Sequence, residues 1–387
     1  MTSTTFSVDA ARERFSSLQS GFAFFDAPGG TQVPDEVGQA IANALREASA
    51  NLGAPYATGR AVEAILARAK EDGGRFLGCS AGEISFGMNM TSLDFILTRA
   101  ATRDLREGDE ILTTQLDHDG GVAPWVEAAE DRGLVVRVVA ATDDLTVDYD
   151  DLERQLNERT RVIAFAYASN ATGSVADAKR ICALAREAGA LSWIDAVHYA
   201  AHEPLDVAEL GCDVLLCSPY KFCGPHLGLG YVRRELAESW RPYKARPSDS
   251  TPTGRRFETG TLPYELLAGF SATIAYLDSL GGLEPLRDYE RALGERFVAN
   301  LPENVTLYGP PGMEGRVPTF LFNVEGHPAD VVARTLGERG VGIWSAGNWY
   351  CVSLADRLPE QSLRAGMIHY NTEAEVDRLL EELASFS

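Results

Sequence analysis

Between residues 80 and 235 the chain alternates short apolar runs with amphipathic stretches of helical period, and this pattern restricts the folds open to it. Residues 110–115 (EILTTQ), 135–140 (VVRVVA), 162–168 (VIAFAYA), 191–194 (LSWI) and 214–217 (VLLC) read as short buried strands. Helical patterns at 90–103, 123–132, 151–161 and 177–190 separate them. Strands spaced by helices of this length imply right-handed crossovers and a mainly parallel sheet covered on both faces. The expected class is therefore α/β. After about residue 285 the texture changes, with strands expected at 306–308, 319–324, 342–344 and 350–353 and helices at 329–339 and 372–386. The expected division is a large α/β domain over 20–285 and a small α+β domain over 286–387 joined by 1–19. Pro- and Gly-rich stretches at 242–254 and 309–315 are the candidate links.

Charge and cysteine usage exclude several classes of partner. The net charge is −21, which sets the chain against nucleic-acid phosphate and anionic lipid. Six cysteines show no CxxC pair and no zinc-like spacing, so no metal site is expected and the thiols read as reduced and cytoplasmic. The polar N-terminus has no apolar segment of a signal peptide, and no run is long enough for a membrane span.

Lysine occurs at only four positions, 70, 179, 221 and 244, so a lysine in apolar surroundings calls for a reason. Lys221 follows the 214–217 strand and precedes Gly224-Pro225, which places it where ligands bind in open α/β sheets. Burial there would free the amine as a nucleophile or base; a snorkelling rim lysine is the alternative. Asp195 ends the preceding strand. An acid and a lysine on neighbouring strand ends suit pyridoxal phosphate, the amine bonding the aldehyde and the carboxylate pairing with the ring nitrogen. Other strand ends carry Asp117-His118, Ser169-Asn170 and Gly87-Met-Asn-Met-Thr91, where a helix N-terminus with a hydroxyl suits a phosphate. Each of these is, in isolation, equally a turn, cap or structural residue. No Walker motif or GxGxxG is present, which counts against nucleotide binding.

Taken in order, Asp26-Ala-Pro-Gly-Gly-Thr31, Met90-Thr91, Asp117-His118, Ser169-Asn170, Asp195-Ala-Val-His198, Ser218-Pro-Tyr-Lys221, Phe257-Glu-Thr-Gly-Thr261 and Arg364…His369-Tyr-Asn371 resemble the class V, fold-type I pyridoxal-phosphate enzymes of the cysteine desulfurase-like branch. The resemblance runs from about residue 20 to the end. It implies a Schiff-base lysine at Lys221 and a ring-nitrogen partner at Asp195. His118 would stack on the ring, and Asn170 would approach the ring hydroxyl or the substrate carboxylate. His198 matches the position where desulfurases commonly have a glutamine, and would lie near the ring oxygen. Met90, Thr91, Ser218 and Tyr220 would hold the phosphate, Met90 through its backbone and Tyr220 in place of the usual histidine. Thr261 would reach the phosphate of the neighbouring subunit, which implies a homodimer with shared active sites. Arg364 would pair with the substrate carboxylate, a bidentate task suited to guanidinium.

Two departures bear on the activity. Trp349 stands near the place of the persulfide-forming cysteine, and Cys351 lies in an aromatic, β-branched run that reads as a strand around a buried thiol. Residues 51–56 (NLGAPY) lack the histidine and arginine usual there. The expected activity is Cβ–S cleavage of an amino acid such as cysteine, with transamination or epimerisation as the alternative.

Overall fold

A computed structural model describes residues 6–246 and 250–386. The first five residues of the polar N-terminus, part of the 242–254 link and Ser387 lie outside them.

The apolar runs form five neighbouring strands of a seven-stranded sheet. Its spatial order is Ile84–Gly87, Gly228–Val232, Val214–Cys217, Leu191–Asp195, Thr160–Ala166, Glu110–Thr114 and Val135–Val139. Only Gly228–Val232 runs against the rest. All four residues of Val214–Cys217 are buried, because helices cover both faces of the sheet and leave no side to alternate toward water. On one face Trp193 meets Trp125 edge-on at 4.8 Å. On the other, Leu215, Ile194, Phe165 and Leu112 join one continuous core. All the parallel strands therefore end on one edge of the sheet.

A second core lies in the C-terminal third. Trp344–Ala346, Ser362–Gly366, Thr319–Val324 and Val305–Tyr308 form an antiparallel sheet. Phe297, Phe320, Phe322, Leu336 and Leu379 fill the space between it and its helices. The final helix, Glu373–Ala384, opens on a capping box in which Thr372 accepts from the Glu375 N–H and the Glu375 carboxylate accepts from the Thr372 N–H. Near the start of the chain, Ala23–Phe24 pairs with Val341–Gly342 and Asp26 bridges to Gly366, so this segment is stitched to the smaller sheet.

Two expected elements are corrected. The helix read over 151–161 is only Tyr149–Gln155. Leu156 is already extended, Asn157 closes a turn on Thr160, and the next strand starts at Thr160. The strand read over 350–353 does not form. Trp349 and Tyr350 have φ of 55° and 59°, and a 3₁₀ turn, Val352–Arg357, follows.

Candidate active site

A cavity of about 280 Å³ opens on the edge where the parallel strands end. It brings together Met90, Thr91, His118, Asn170, Asp195, His198, Ser218, Tyr220, Lys221 and Arg364. Of the residues expected at the site, only Thr261 lies elsewhere, exposed in the loop before helix Tyr264–Ser279.

Lys221 is held by backbone. Its Nζ donates to the carbonyls of Pro28 and Gly29, in the turn that Asp26 closes by accepting from the Gly29 N–H at 2.7 Å. A side chain on Gly29 would come within 2.8 Å of the Trp344 ring, so glycine is what fits there. Burial brings the ammonium down to about 7, with Arg364 pushing the same way and Asp195 and Asp26 opposing. A large share of this amine is thus neutral near pH 7.

Asp195 accepts from the Val197 N–H at 2.9 Å and has no cation within salt-bridge distance among the described residues. Burial raises its carboxyl to about 7, with Asp117 adding to the rise and the Val197 bond and Lys221 working against it. The folded protein therefore holds a proton that the unfolded chain releases between about pH 4 and 7, so this group costs stability as pH rises through that window. In cofactor-free protein, Asp195→Asn should raise the melting temperature by several degrees at pH 8 and by less than half as much at pH 5, where the window has only begun to open. An equal shift at both values, read by thermal unfolding, would contradict the assignment.

His118 caps helix Asp119–Arg132, its Nδ1 accepting from the Gly120 N–H at 2.9 Å. Burial, then the charges of Lys221 and Arg364, bring its imidazole down to about 4, so it is a neutral flat ring. Tyr350 stacks over it at 5.2 Å. His198 bonds Thr319 Oγ1 at 2.7 Å through Nε2.

One end of the cavity suits an anion. Helix Met90–Ala101 starts there, capped by Asn89 through the Ser92 N–H, so the cap is Asn89 and not Thr91. Ser218 Oγ accepts from the Met90 N–H at 3.0 Å. Gly228 permits this close approach, since a Cβ there would meet the Asn89 carbonyl oxygen at 2.4 Å.

Arg364 stands on strand Ser362–Gly366, buried, with Trp349 4.3 Å and Trp344 5.7 Å from its guanidinium. Its Nη1 donates to the Asn170 carbonyl at 2.8 Å. The Asn170 side chain faces the neighbouring loop: Nδ2 donates to the Trp349 carbonyl at 2.8 Å, and Oδ1 accepts from Cys351 Sγ at 3.1 Å. The amide expected to face a ring hydroxyl or a carboxylate is thus engaged with the 349–351 turn. Cys351 does not line the cavity. Its thiol is fully buried, and burial together with Asp117 pushes it up to about 12.

Sequence reasoning missed the aromatic wall of Trp344, Trp349 and Tyr350 and the carbonyls of Pro28 and Gly29. The tryptophans were visible in the run from 344 to 351, but the strand reading hid their turn; backbone carbonyls leave no mark in sequence.

The residues present fit pyridoxal phosphate. A buried amine with a depressed affinity for protons, a carboxylate free of cation partners, a flat neutral imidazole and a helix N-terminus with a hydroxyl meet in one cavity.

Comparison with known proteins points the same way. The profile of the class-V aminotransferases matches residues 23–379. A probable cysteine desulfurase 2 of Mycobacterium leprae is 34% identical, over 81% of this chain and 79% of that protein. The aminotransferase-like protein FGM3 of Gibberella zeae is 28% identical over 99% of each. In fold, the apo structure of a cysteine desulfurase from Thermococcus onnurineus superposes with a TM-score of 0.92 at 23% identity, covering 100% of this chain and 99% of that one. The chain belongs to the class V aminotransferase family, whose members are pyridoxal-phosphate-dependent enzymes.

Proposed function

We propose that the protein cleaves the Cβ–S bond of cysteine or a closely related amino acid and releases the sulfur-bearing group as a small product. The observation that carries this reading is the convergence of Lys221, Asp195 and Arg364 in one cavity that Cys351 does not line, its thiol bonded to Asn170. The 34% identical desulfurase supports lysis over transamination or epimerisation.

Pyridoxal phosphate, when bound, supplies an aldehyde that joins to amines and a ring that withdraws electrons from the substrate Cα. Lys221 would hold its aldehyde carbon, Asp195 its ring nitrogen and His118 one ring face, with His198 near the ring oxygen. The Met90 backbone, Thr91, Ser218 and Tyr220 would hold its phosphate. Arg364 fixes the substrate carboxylate in a wall of tryptophan that keeps water from competing for the guanidinium. The Lys221 Nζ, partly neutral in its buried position, would take the Cα proton of the bound substrate, and the sulfur would leave Cβ with the electron pair of the broken bond. The Cys351 thiol stays protonated and does not line the cavity.

The single chain leaves Thr261 exposed, and we assign it to the phosphate of the partner's site in a two-fold homodimer. We also place the lobe division near residue 285, with the 23–26 segment joining the smaller lobe, and the protein in the cytoplasm. No single helix among the described residues is long and apolar enough to cross a membrane.

The test is a panel of amino acids, including cysteine, cystine and S-alkyl cysteines, with detection of thiol, sulfide, pyruvate and keto acids. Sulfur product and pyruvate should appear in equal amounts, and borohydride should fix the cofactor on a peptide containing Lys221. Alanine with protein-bound sulfur, or the intact keto acid of the substrate, would overturn the reading.

A further inference from the structure

Behind Asp195, away from the cavity, lies a second acid. Asp94 sits on helix Met90–Ala101 and is wholly buried. Its Oδ1 accepts from Trp193 Nε1 at 2.8 Å, with the Thr98 hydroxyl at 3.5 Å. Its Oδ2 has no hydrogen-bond partner among the described residues. Trp193 and Asp195 alternate by two along one strand and so share a face of the sheet. That geometry sets Asp94 beside Asp195.

The two carboxyls line a gap of about 10 Å³ together with Asp117, Gly121 and Trp193, a volume that matches a single water. Asp117 is already satisfied, accepting from Thr114 N, Thr114 Oγ1 and Ala166 N. Asp94 has one indole bond, one long hydroxyl contact and no cation, and burial with the nearby Asp195 charge holds its carboxyl well above the usual range. A buried carboxyl so placed keeps its proton and becomes a donor.

We propose that Asp94 is a positioning residue for Asp195: a neutral acid that donates from Oδ2, through one water in this gap, to the Asp195 carboxylate. A carboxylate that accepts another hydrogen bond is less basic, so Asp195 stays charged toward the ring nitrogen to lower pH. The titratable groups around it are Asp195 and Asp117 across the gap, with Lys221 acting on Asp195 from the cavity side. This inference rests on the cofactor assignment above.

The test is the pH dependence of pyridoxal-phosphate affinity, followed by visible absorbance in the parent, Asp94→Asn and Asp94→Leu. The acid limb of affinity should move up by about one pH unit in Asp94→Leu, the scale of one lost hydrogen bond, and stay in place in Asp94→Asn, whose amide still donates. Unmoved limbs in both variants, or equal movement in both, would reduce Asp94 to an anchor for Trp193. Should Asp94→Leu fail to fold, infrared spectra of the parent at pH 8 decide. A protonated-carboxyl stretch that disappears in Asp94→Asn supports the proposal, and its absence from the parent overturns it. A parent that binds no pyridoxal phosphate would instead defeat the cofactor assignment itself.

Discussion

Turnover of Lys221→Ala should fall by about 10²–10⁴-fold, the range for loss of a positioned general base. The amine is gripped by the Pro28 and Gly29 carbonyls and kept partly neutral by burial, so no other side chain in the cavity duplicates it. His118 lies in the same cavity, but its Nδ1 is occupied by the Gly120 N–H, and with a value of about 4 it is a weak base. The variant should keep its fold and regain part of its activity with added methylamine. A loss without amine rescue, accompanied by a lower melting temperature, would mean that Lys221 serves packing only.

Arg364→Ala should weaken substrate binding by about 2–5 kcal/mol, the cost of breaking a buried charge pair. That corresponds to roughly 30- to 5,000-fold in Kd. The guanidinium packs against two tryptophan rings and anchors on the Asn170 carbonyl, so its direction is fixed before substrate arrives. Cofactor absorbance should survive, because no expected cofactor contact runs through Arg364. Decarboxylated amines should be poor substrates of the parent and no worse for the variant. Equal use of amino acids and their amines by the parent would remove the carboxylate role.

The parallel sheet was legible because its central strands are buried on both faces and so cannot alternate; runs such as 214–217 carry that constraint directly in their composition. The same constraint fixed where each run stops, and the polar residues just beyond those stops converge on the cavity. The wall opposite was illegible for a physical reason. Trp349, Tyr350, Cys351 and Val352 have the aromatic and β-branched character of a strand. Their conformation is imposed from outside: Asn170 captures both the Trp349 carbonyl and the Cys351 thiol, and the Asn348 side chain accepts from the Tyr350 N–H at 3.0 Å. Those bonds hold two non-glycine residues in the left-handed region, which local propensity disfavours. Cys351 was legible as buried but not as a turn residue, since burial follows from its neighbours and backbone direction from a partner about 180 positions away.

The fate of the sulfur tests the account most directly, and Cys351→Ala measures it. A persulfide-forming cysteine must be a thiolate that reaches the substrate sulfur. Cys351 is buried, hydrogen-bonded to Asn170 and pushed up to about 12. With cysteine as substrate, initial rates of sulfide and pyruvate release by Cys351→Ala should remain close to those of the parent. Loss of turnover with the cofactor spectrum and the fold intact would contradict the account and make Cys351 the sulfur acceptor.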